Sequence, residues 1–215
     1  MNLFSSDPQK KLDYPDLKTE SNPTASNVET KTEHPILEII RFSLIALIIV
    51  IPIRMFIAQP FIVSGASMEG TFHTGEYLIV DQISYYFNNP KRGDVIVFRY
   101  PKDPSKFFIK RVIGLPGETI SIIGSAVTIK NKGNPNGFVL DEPYIKSMKN
   151  GSNLTEILGD REYFVMGDNR DQSSDSRTWG VLQQGSIIGH AFIRLFPPRQ
   201  FSYLPGAIPD TNIIN

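Results

Sequence analysis

The 215-residue sequence has no cysteine and no net charge, because 22 basic residues balance 22 acidic ones. Without cysteine the chain forms no disulfide, no thiolate metal site and no cysteine nucleophile. The balanced charge argues against nucleic acid as the main partner, since no basic excess is present to release phosphate counterions. Internal repeats are absent, and only one long apolar run occurs. The length suits one domain of ordinary size.

The apolar run, residues 36–57, is long enough to cross a membrane. As a helix it would span about 33 Å, close to the ~30 Å hydrocarbon core of a bilayer. Two cations, Arg41 and Arg54, could snorkel to opposite interfaces. We therefore predict a transmembrane anchor helix over residues 35–57, preceded by a disordered polar tail over residues 1–34.

Two alternatives for this run are a buried core helix and a cleavable signal peptide. A core helix would carry a polar stripe, which is missing here. A cleavage site needs small residues, whereas the run ends in Phe56-Ile57-Ala58. Three basic residues, Lys18, Lys31 and Arg41, precede the centre of the run, and only Arg54 follows it. The positive-inside bias predicts a single-pass protein of the plasma membrane, with a cytoplasmic N-terminus and the remaining chain on the outer face.

From Ala58 onward, short runs rich in β-branched and aromatic residues alternate with turn residues. Strands are predicted over residues 77–80, 94–98, 108–113, 119–123, 126–129, 162–166 and 186–195. This pattern favours a mostly β fold built from antiparallel strands. The more polar segment 121–159 is predicted to be a small inserted β subdomain. The core would then comprise residues 58–120 and 160–205, followed by a C-terminal tail over residues 206–215.

Lys110 lies in an apolar strand, where a charge is unexpected. Strand alternation places Phe108, Lys110 and Val112 on one face and Arg111 on the other. Apolar surroundings lower the pKa of a lysine, so Lys110 is a candidate base in its neutral form. Arg111 keeps its proton and suits a structural ion pair instead. The alternative is an exposed edge strand that carries two solvated cations.

Ser67 follows the small residues Ser64-Gly65-Ala66, which permit a tight turn and the close approach of a substrate backbone. A serine hydroxyl is a weak nucleophile until a neighbouring base takes its proton. Lys110 as that base predicts a Ser-Lys hydrolase. The alternative base is His190, in a Ser-His-Asp arrangement with Asp168, Asp171 or Asp175. No Gly-x-Ser-x-Gly pattern surrounds Ser67, so the lysine is the leading hypothesis.

A third block, residues 167–180, is dense in hydrogen-bonding side chains. Its three aspartates accompany Arg170 and Arg177, which predicts a self-satisfied polar scaffold. A calcium loop is disfavoured, because Arg170 occupies a ligand position and no glutamate closes the loop.

Together the three blocks resemble the bacterial type I signal peptidases, a family of membrane-anchored Ser-Lys endopeptidases. The resemblance covers residues 64–81, 92–99, 109–118 and 167–180 in the family's order, and the anchor agrees with it. It implies a serine protease, a hydrolase that removes signal peptides from exported precursor proteins during secretion. It also implies an antiparallel β-sheet catalytic core and no metal or cofactor.

The resemblance assigns roles residue by residue. Ser67 would be the nucleophile and Lys110 the general base, with Ser173 orienting the lysine amine. Asp175 and Arg177 would stiffen the loop behind it. The positions that match the substrate groove are Met68, Phe72, Phe108, Ile109 and Ser174. The resemblance also implies that the groove binds an extended peptide with small residues one and three positions before the cut, a preference that suits shallow apolar pockets, since these reject larger side chains.

Two positions depart from the family pattern: Gly70 replaces a frequent proline, and Ala66 lacks the hydroxyl that some relatives offer to the oxyanion. The expected oxyanion donors are therefore the Ser67 backbone N–H and Ser64. Two other functions stay open, a catalytically silent membrane-tethered β module that binds extended peptides and a self-cleaving repressor-type Ser-Lys protease. The expected partners are signal-peptide-bearing precursors and the lipid bilayer, without nucleic acid.

Overall fold

The structure is a computed structural model that describes residues 35–52, 58–145, 148 and 151–208. The predicted tail over residues 1–34 lies outside the described residues, as do the last five residues of the predicted anchor and residues 209–215 of the predicted C-terminal tail. The chain divides into two units after Phe42.

The first described element is helix α1 (Pro35–Pro52), which is long and apolar enough to cross a membrane by length and composition. At 1.5 Å per residue its 18 residues extend about 27 Å. None of its side chains is buried. Apolar side chains gain free energy when they leave water, so such an exposed helix favours an apolar environment outside the chain.

The rest of the described chain is mostly β-structure. Its strands are β1 (Ala58–Ile62), β2 (Tyr77–Asp81), β3 (Val95–Tyr100), β4 (Asp103–Gly114), β5 (Thr119–Gly124), β6 (Ala126–Lys130), β7 (Phe138–Val139), β8 (Ser152–Ile157), β9 (Glu162–Met166), β10 (Leu182–Gln183), β11 (Ile187–Phe196) and β12 (Ser202–Tyr203). Short α-helices are α2 (Ser84–Phe87) and α3 (Ser176–Trp179), and 3-10 turns occur at Arg170–Gln172, Gln184–Ser186 and Pro198–Gln200.

The strands form two sheets. The larger has the order β1-β2-β11-β3-β4-β9-β10, with β12 paired to β11, and the smaller has the order β7-β6-β5-β8. Every pairing recorded among the described strands is antiparallel. The predicted fold class, mostly β and antiparallel with one N-terminal apolar helix, is confirmed.

All seven predicted strands are present, as β2, β3, β4, β5, β6, β9 and β11. The sequence pattern missed β1, β7, β8, β10 and β12 and placed the start of β4 five residues late. The missed β7, β10 and β12 have two residues each, and β8 is largely polar, so alternation gives little signal there. β4 is longer than predicted because it continues a hairpin with β3, in which Tyr100 pairs with Asp103.

The smaller sheet shares an apolar core with the larger one. Ile120, Ile122 and Ile129 of the smaller sheet pack in one buried cluster with Ile113 and Phe164 of the larger. Burial of each such side chain contributes roughly 1.5–3 kcal/mol. The buried residues of the smaller sheet thus share this cluster with the larger sheet, and the description of residues 121–159 as an inserted subdomain stays a prediction.

A buried ion pair joins the two sheets where β4 gives way to β5. The Arg92 guanidinium donates to both carboxylate oxygens of Glu118, at 2.9 and 2.6 Å, and also to the Ile113 carbonyl at 2.6 Å. Glu118 in turn accepts from the Asn131 amide and the Leu115 N–H. Because hydrogen bonds surround the carboxylate, its burial leaves the charge compensated.

β4 lies between β3 and β9, but its pairing with β9 begins only at Arg111, which faces Met166. Among the described strands, the first part of β4, residues 103–110, is therefore paired to β3 alone and keeps one free edge. Lys110 and Arg111 are 3% and 0% exposed. The alternative of two solvated cations on an exposed strand is wrong.

Candidate active site

The structure brings the predicted serine and lysine together. Ser67 lies half-buried in the turn after β1, and its Oγ is 2.8 Å from the Nζ of buried Lys110. The amine also donates to the Ile109 carbonyl, at 2.9 Å. This carbonyl belongs to the same strand as the amine, so β4 itself fixes the position of Nζ opposite the hydroxyl.

Burial lowers the pKa of Lys110 from 10.5 to about 8, although the carboxylates of Asp175 and Asp168 favour its charged form. Part of the surrounding apolar surface is the Phe108 ring, whose centroid lies 5.1 Å from Nζ. That ring stacks on Tyr100, with the centroids 4.5 Å apart. Desolvation thus makes the neutral amine accessible near physiological pH, as a general base requires.

The backbone around Ser67 is held by a side chain that the sequence reasoning did not single out, Asn169. Its side-chain amide donates to the Ala66 carbonyl and its backbone N–H donates to the Ser67 carbonyl, both at 3.0 Å. Gly65 turns the chain with a φ of +98°, a conformation that favours glycine. No acceptor for the Ser67 N–H is recorded among the described residues, so this donor is free to face an oxyanion.

The two residues directly before Ser67, Gly65 and Ala66, have no side-chain donor. Ser64 has an exposed side chain without a recorded hydrogen bond in the described part of the chain. Its predicted part in the oxyanion site, like that of the Ser67 N–H, stays a prediction.

The polar block contacts the serine turn at Gly167. A Cβ at this position would lie 2.4 Å from the Ser67 carbonyl oxygen and 2.3 Å from Ser173 Oγ, well inside contact distance. Only glycine therefore lets the loop after β9 pack directly on the backbone of the serine turn.

Ser173 lies beside Gly167, with its hydroxyl buried and without a hydrogen-bond partner among the described residues. The predicted hydrogen bond from Ser173 to the Lys110 amine is thus not formed in this structure. Ile109, rather than Ser173, supplies the second contact of the amine. An orienting role for Ser173 stays a prediction.

Asp175 and Arg177 form an ion pair within the polar block, in which Asp175 is buried and Arg177 is half-buried; their predicted part in stiffening the loop stays a prediction. Arg177 donates to both oxygens of Asp175, at 2.8 Å each, and to the Arg170 carbonyl at 2.7 Å. Asp175 also accepts from the Gly167 N–H at 3.1 Å. Across the described ranges, no cluster of three or more His, Cys, Asp or Glu side chains could hold a metal ion.

The sequence predicted a structural ion pair for Arg111 but missed its partner, Asp168, which links the lysine strand to the polar loop. Arg111 donates to the two oxygens of Asp168 at 2.8 and 2.6 Å, and both side chains are fully buried. Thr71, from the turn after Ser67, donates to the same carboxylate at 2.6 Å. Asp168 therefore ties together the three segments that meet at the site.

The predicted groove residues differ in accessibility. Met68 and Phe72 are 1% and 0% exposed and lie in a core cluster, against which Ile109 packs. Phe108 and Ile109 are half-buried, and Ser174 is exposed. Met68 and Phe72 thus pack in the core beneath the predicted groove and offer no surface to a ligand, whereas Phe108, Ile109 and Ser174 are accessible to one.

His190 is not part of the constellation. Its Nε2 lies 3.9 Å from Asp81, at the far side of β11 from the loop that bears Asp168 and Asp175. Asp168 forms an ion pair with Arg111 and Asp175 forms one with Arg177, and the Ser67 hydroxyl contacts the Lys110 amine instead of a histidine. The Ser-His-Asp alternative is not supported by this geometry.

Comparisons with known proteins agree on one family. A family model described as "Signal peptidase, peptidase S26" matches residues 36–196. The chain is 37% identical to "Signal peptidase I" of Leptolyngbya laminosa, with 86% of this chain and 90% of that protein covered. It is 33% identical to "Signal peptidase I" of Bacillus amyloliquefaciens, with 79% and 92% covered. A crystal structure of a signal peptidase I from Enterococcus faecalis V583 matches at 32% identity and a TM-score of 0.41, over 48% of this chain and 97% of that one.

Proposed function

This chain belongs to the signal peptidase family, peptidase S26, and on that premise we propose that Ser67 and Lys110 catalyse its removal of signal peptides from precursor proteins. The observation that carries the assignment is the 2.8 Å contact between Ser67 Oγ and the Nζ of buried Lys110. The family resemblance drawn from the sequence is confirmed, and so is the serine peptidase activity that it implies.

In the proposed mechanism, neutral Lys110 takes the hydroxyl proton as Ser67 Oγ attacks the scissile carbonyl. The tetrahedral oxyanion is met by the free Ser67 N–H, with Ser64 as the second proposed donor. The ammonium of Lys110 then gives its proton to the leaving amine, which departs and leaves an acyl-enzyme on Ser67. A water molecule, deprotonated by the same amine, hydrolyses that ester and releases the signal peptide.

The free edge of β4 supports recognition of an extended peptide. In the described part of the chain, residues 103–110 have no strand partner on the side where β9 begins at Arg111, so backbone groups there other than the Ile109 carbonyl, which accepts from Lys110, can pair with a substrate strand. Among the described strands β1 ends the larger sheet and has a second free edge, and its Phe61 contacts Phe107 of β4 with ring centroids 5.3 Å apart. The two free edges therefore approach each other beside the dyad.

Membrane tethering is supported by α1, whose apolar side chains are exposed along its whole length. In the proposed topology the N-terminus is cytoplasmic, because Lys18, Lys31 and Arg41 outnumber Arg54. The catalytic core then lies on the outer face of the plasma membrane. The nine residue steps from Ala58 to Ser67 reach at most about 30 Å when extended, which keeps the dyad near the bilayer where a precursor emerges.

The substrate preference tests the proposed function. Purified full-length protein in detergent should cut a precursor at its signal junction when alanine stands one and three positions before the cut. Replacement of the alanine at the first of these positions by phenylalanine should lower kcat/KM by at least about 100-fold, since a shallow pocket cannot admit the ring. Cleavage is measured by electrophoresis and mass spectrometry of the products. Equal rates for both precursors would contradict the proposed groove.

The pH dependence tests the proposed base. Because only neutral Lys110 accepts a proton, kcat/KM should rise with pH, about tenfold per pH unit well below the pKa, and level off above about 8. The profile is measured with the alanine-junction precursor. An ascending limb centred near 6.5 would instead identify a histidine base.

A further inference from the structure

The segment between β7 and β8 reaches the catalytic loop through two neighbouring side chains, Glu142 and Tyr144. Glu142 forms a two-pronged ion pair with Arg170, in which Nη1 lies 3.0 Å from Oε2 and Nη2 contacts Oε1. The side chains of Arg170 and Glu142 are 1% and 8% exposed. Tyr144 donates its hydroxyl to Glu142 at 2.7 Å, which fixes the carboxylate from the other side.

The same tyrosine covers a second arginine. Its ring centroid lies 4.0 Å from the Cζ of Arg111, a close cation–π contact with a fully buried guanidinium. Burial raises the pKa of Tyr144, so its hydroxyl stays protonated and remains a donor to Glu142. Glu142 and Tyr144 therefore hold two cations that belong to the catalytic core, and we name these two residues the clamp.

Both clamped arginines lie one step from the dyad. Arg170 donates through Nε to the Gly167 carbonyl at 3.1 Å, and Gly167 is the residue pressed against the Ser67 carbonyl. Arg111 follows Lys110 directly in β4 and holds Asp168, the residue after Gly167. A shift of either arginine would thus be passed to the backbone on which the serine and the lysine are aligned.

We propose that Glu142 and Tyr144 are positioning residues for the Ser67–Lys110 dyad, acting through Arg170 and Arg111. The proposal rests on the proposed function, because it concerns the same reaction. It gives the segment between β7 and β8, the two edge strands of the smaller sheet, a part in catalysis without contact to the substrate.

The test compares two isosteric substitutions in full-length protein in detergent. Glu142→Gln removes the negative charge of the clamp. The control, Glu118→Gln, removes the charge of a similarly buried glutamate that binds Arg92 through both carboxylate oxygens at the junction of the sheets. Glu142→Gln should lower kcat by about 10- to 100-fold, because small misplacements of reacting groups have effects of this size. Its KM should stay within about twofold, since no clamp residue touches the groove. Glu118→Gln should lower the melting temperature similarly but keep kcat within about twofold.

Two further variants refine the result. Glu142→Asp keeps the carboxylate and should recover part of the lost kcat. Tyr144→Phe keeps the ring over Arg111 but removes the hydroxyl that fixes Glu142, so it should lower kcat by a few-fold. If Glu142→Gln does not fold, Tyr144→Phe replaces it as the test of the clamp. Wild-type kcat in Glu142→Gln or Tyr144→Phe, or an equal loss in Glu118→Gln, would overturn the proposal.

A readout that needs no activity separates this proposal from the proposed function. Hydrogen exchange of the Asn169 N–H, which donates to the Ser67 carbonyl, should be faster in Glu142→Gln than in wild type and unchanged in Glu118→Gln. If the wild-type protein cuts no precursor, the proposed function is wrong. The exchange rates at Asn169 would still show whether Glu142 positions the serine turn. Unchanged exchange at Asn169 in Glu142→Gln would reject the clamp even in an active enzyme.

Discussion

Replacing Lys110 with methionine should lower kcat/KM for precursor cleavage by about 10²- to 10⁴-fold, the usual contribution of a general base. Methionine fills a similar volume but cannot accept the Ser67 proton. Ser67→Ala removes the attacking oxygen itself and should lower the rate further, on the order of 10⁶-fold. Both effects are measured on the full-length enzyme with the alanine-junction precursor, at pH 9, where the wild-type amine is mostly neutral.

The Lys110→Met variant should nevertheless be stably folded. The lysine has a pKa of about 8 in the folded protein, against its ordinary value of 10.5 in the unfolded chain. At pH 7 the amine is charged in both the folded and unfolded states, so the cost of burying its charge is fully present. That cost disappears as the pH rises from about 8 through 10.5, where the amine is neutral in both states. Since one pKa unit corresponds to about 1.4 kcal/mol, methionine should raise the free energy of unfolding at pH 7 by up to about 3 kcal/mol.

The matched control for the dyad is His190→Ala, because His190 is paired with Asp81 and lies outside the constellation. This variant should keep wild-type kcat/KM. Cleavage retained by Lys110→Met would remove the lysine from the mechanism. Loss of cleavage in a folded His190→Ala enzyme would restore the histidine alternative, and precursor cutting unaffected by Ser67→Ala would mean that the serine is not the nucleophile.

The sequence was most informative where a residue's environment follows from the period of its own strand. Alternation along β4 predicted different environments for Lys110 and Arg111. In the structure the Lys110 amine contacts the Ser67 hydroxyl, whereas Arg111 forms an ion pair with one aspartate, Asp168. The strands with clear apolar runs were also found, because their buried faces repeat every second residue. The residues themselves made the Ser67–Lys110 dyad the leading hypothesis, and the family resemblance then supported the pairing of these two distant blocks.

What the sequence could not supply are the polar partners that lie far apart along the chain. Arg111 and Asp168 are 57 residues apart, and Arg170 and Glu142 are 28 residues apart. No local period relates such residues, since they meet only when the sheets pack. Asn169 was also missed, although it lies inside the polar block. Its density of hydrogen-bonding groups predicted a network but not which backbone the network would hold.

The ion pair at Asp168 leads to the largest expected loss of stability. Asp168→Asn should lower the free energy of unfolding by about 3–5 kcal/mol, because an amide leaves the positive charge of Arg111 buried without a counter-charge. Cleavage should fall as well, since the carboxylate also accepts the Thr71 hydroxyl and so ties the serine turn to the polar loop. Urea unfolding followed by circular dichroism measures the first effect, and the precursor assay measures the second.

Two comparisons separate charge burial from the simple removal of an ion pair. Asp103→Asn breaks the exposed pair with Lys106 and should leave the unfolding midpoint unchanged, because solvent already screens those charges. The double variant Arg111→Met with Asp168→Leu removes both buried charges and should recover most of the stability that Asp168→Asn loses. It should not recover cleavage, since Thr71 still lacks its acceptor and the serine turn is no longer tied to the loop. If Asp168→Asn unfolds no more easily than Asp103→Asn, the buried ion pair between Arg111 and Asp168 does not stabilise the site.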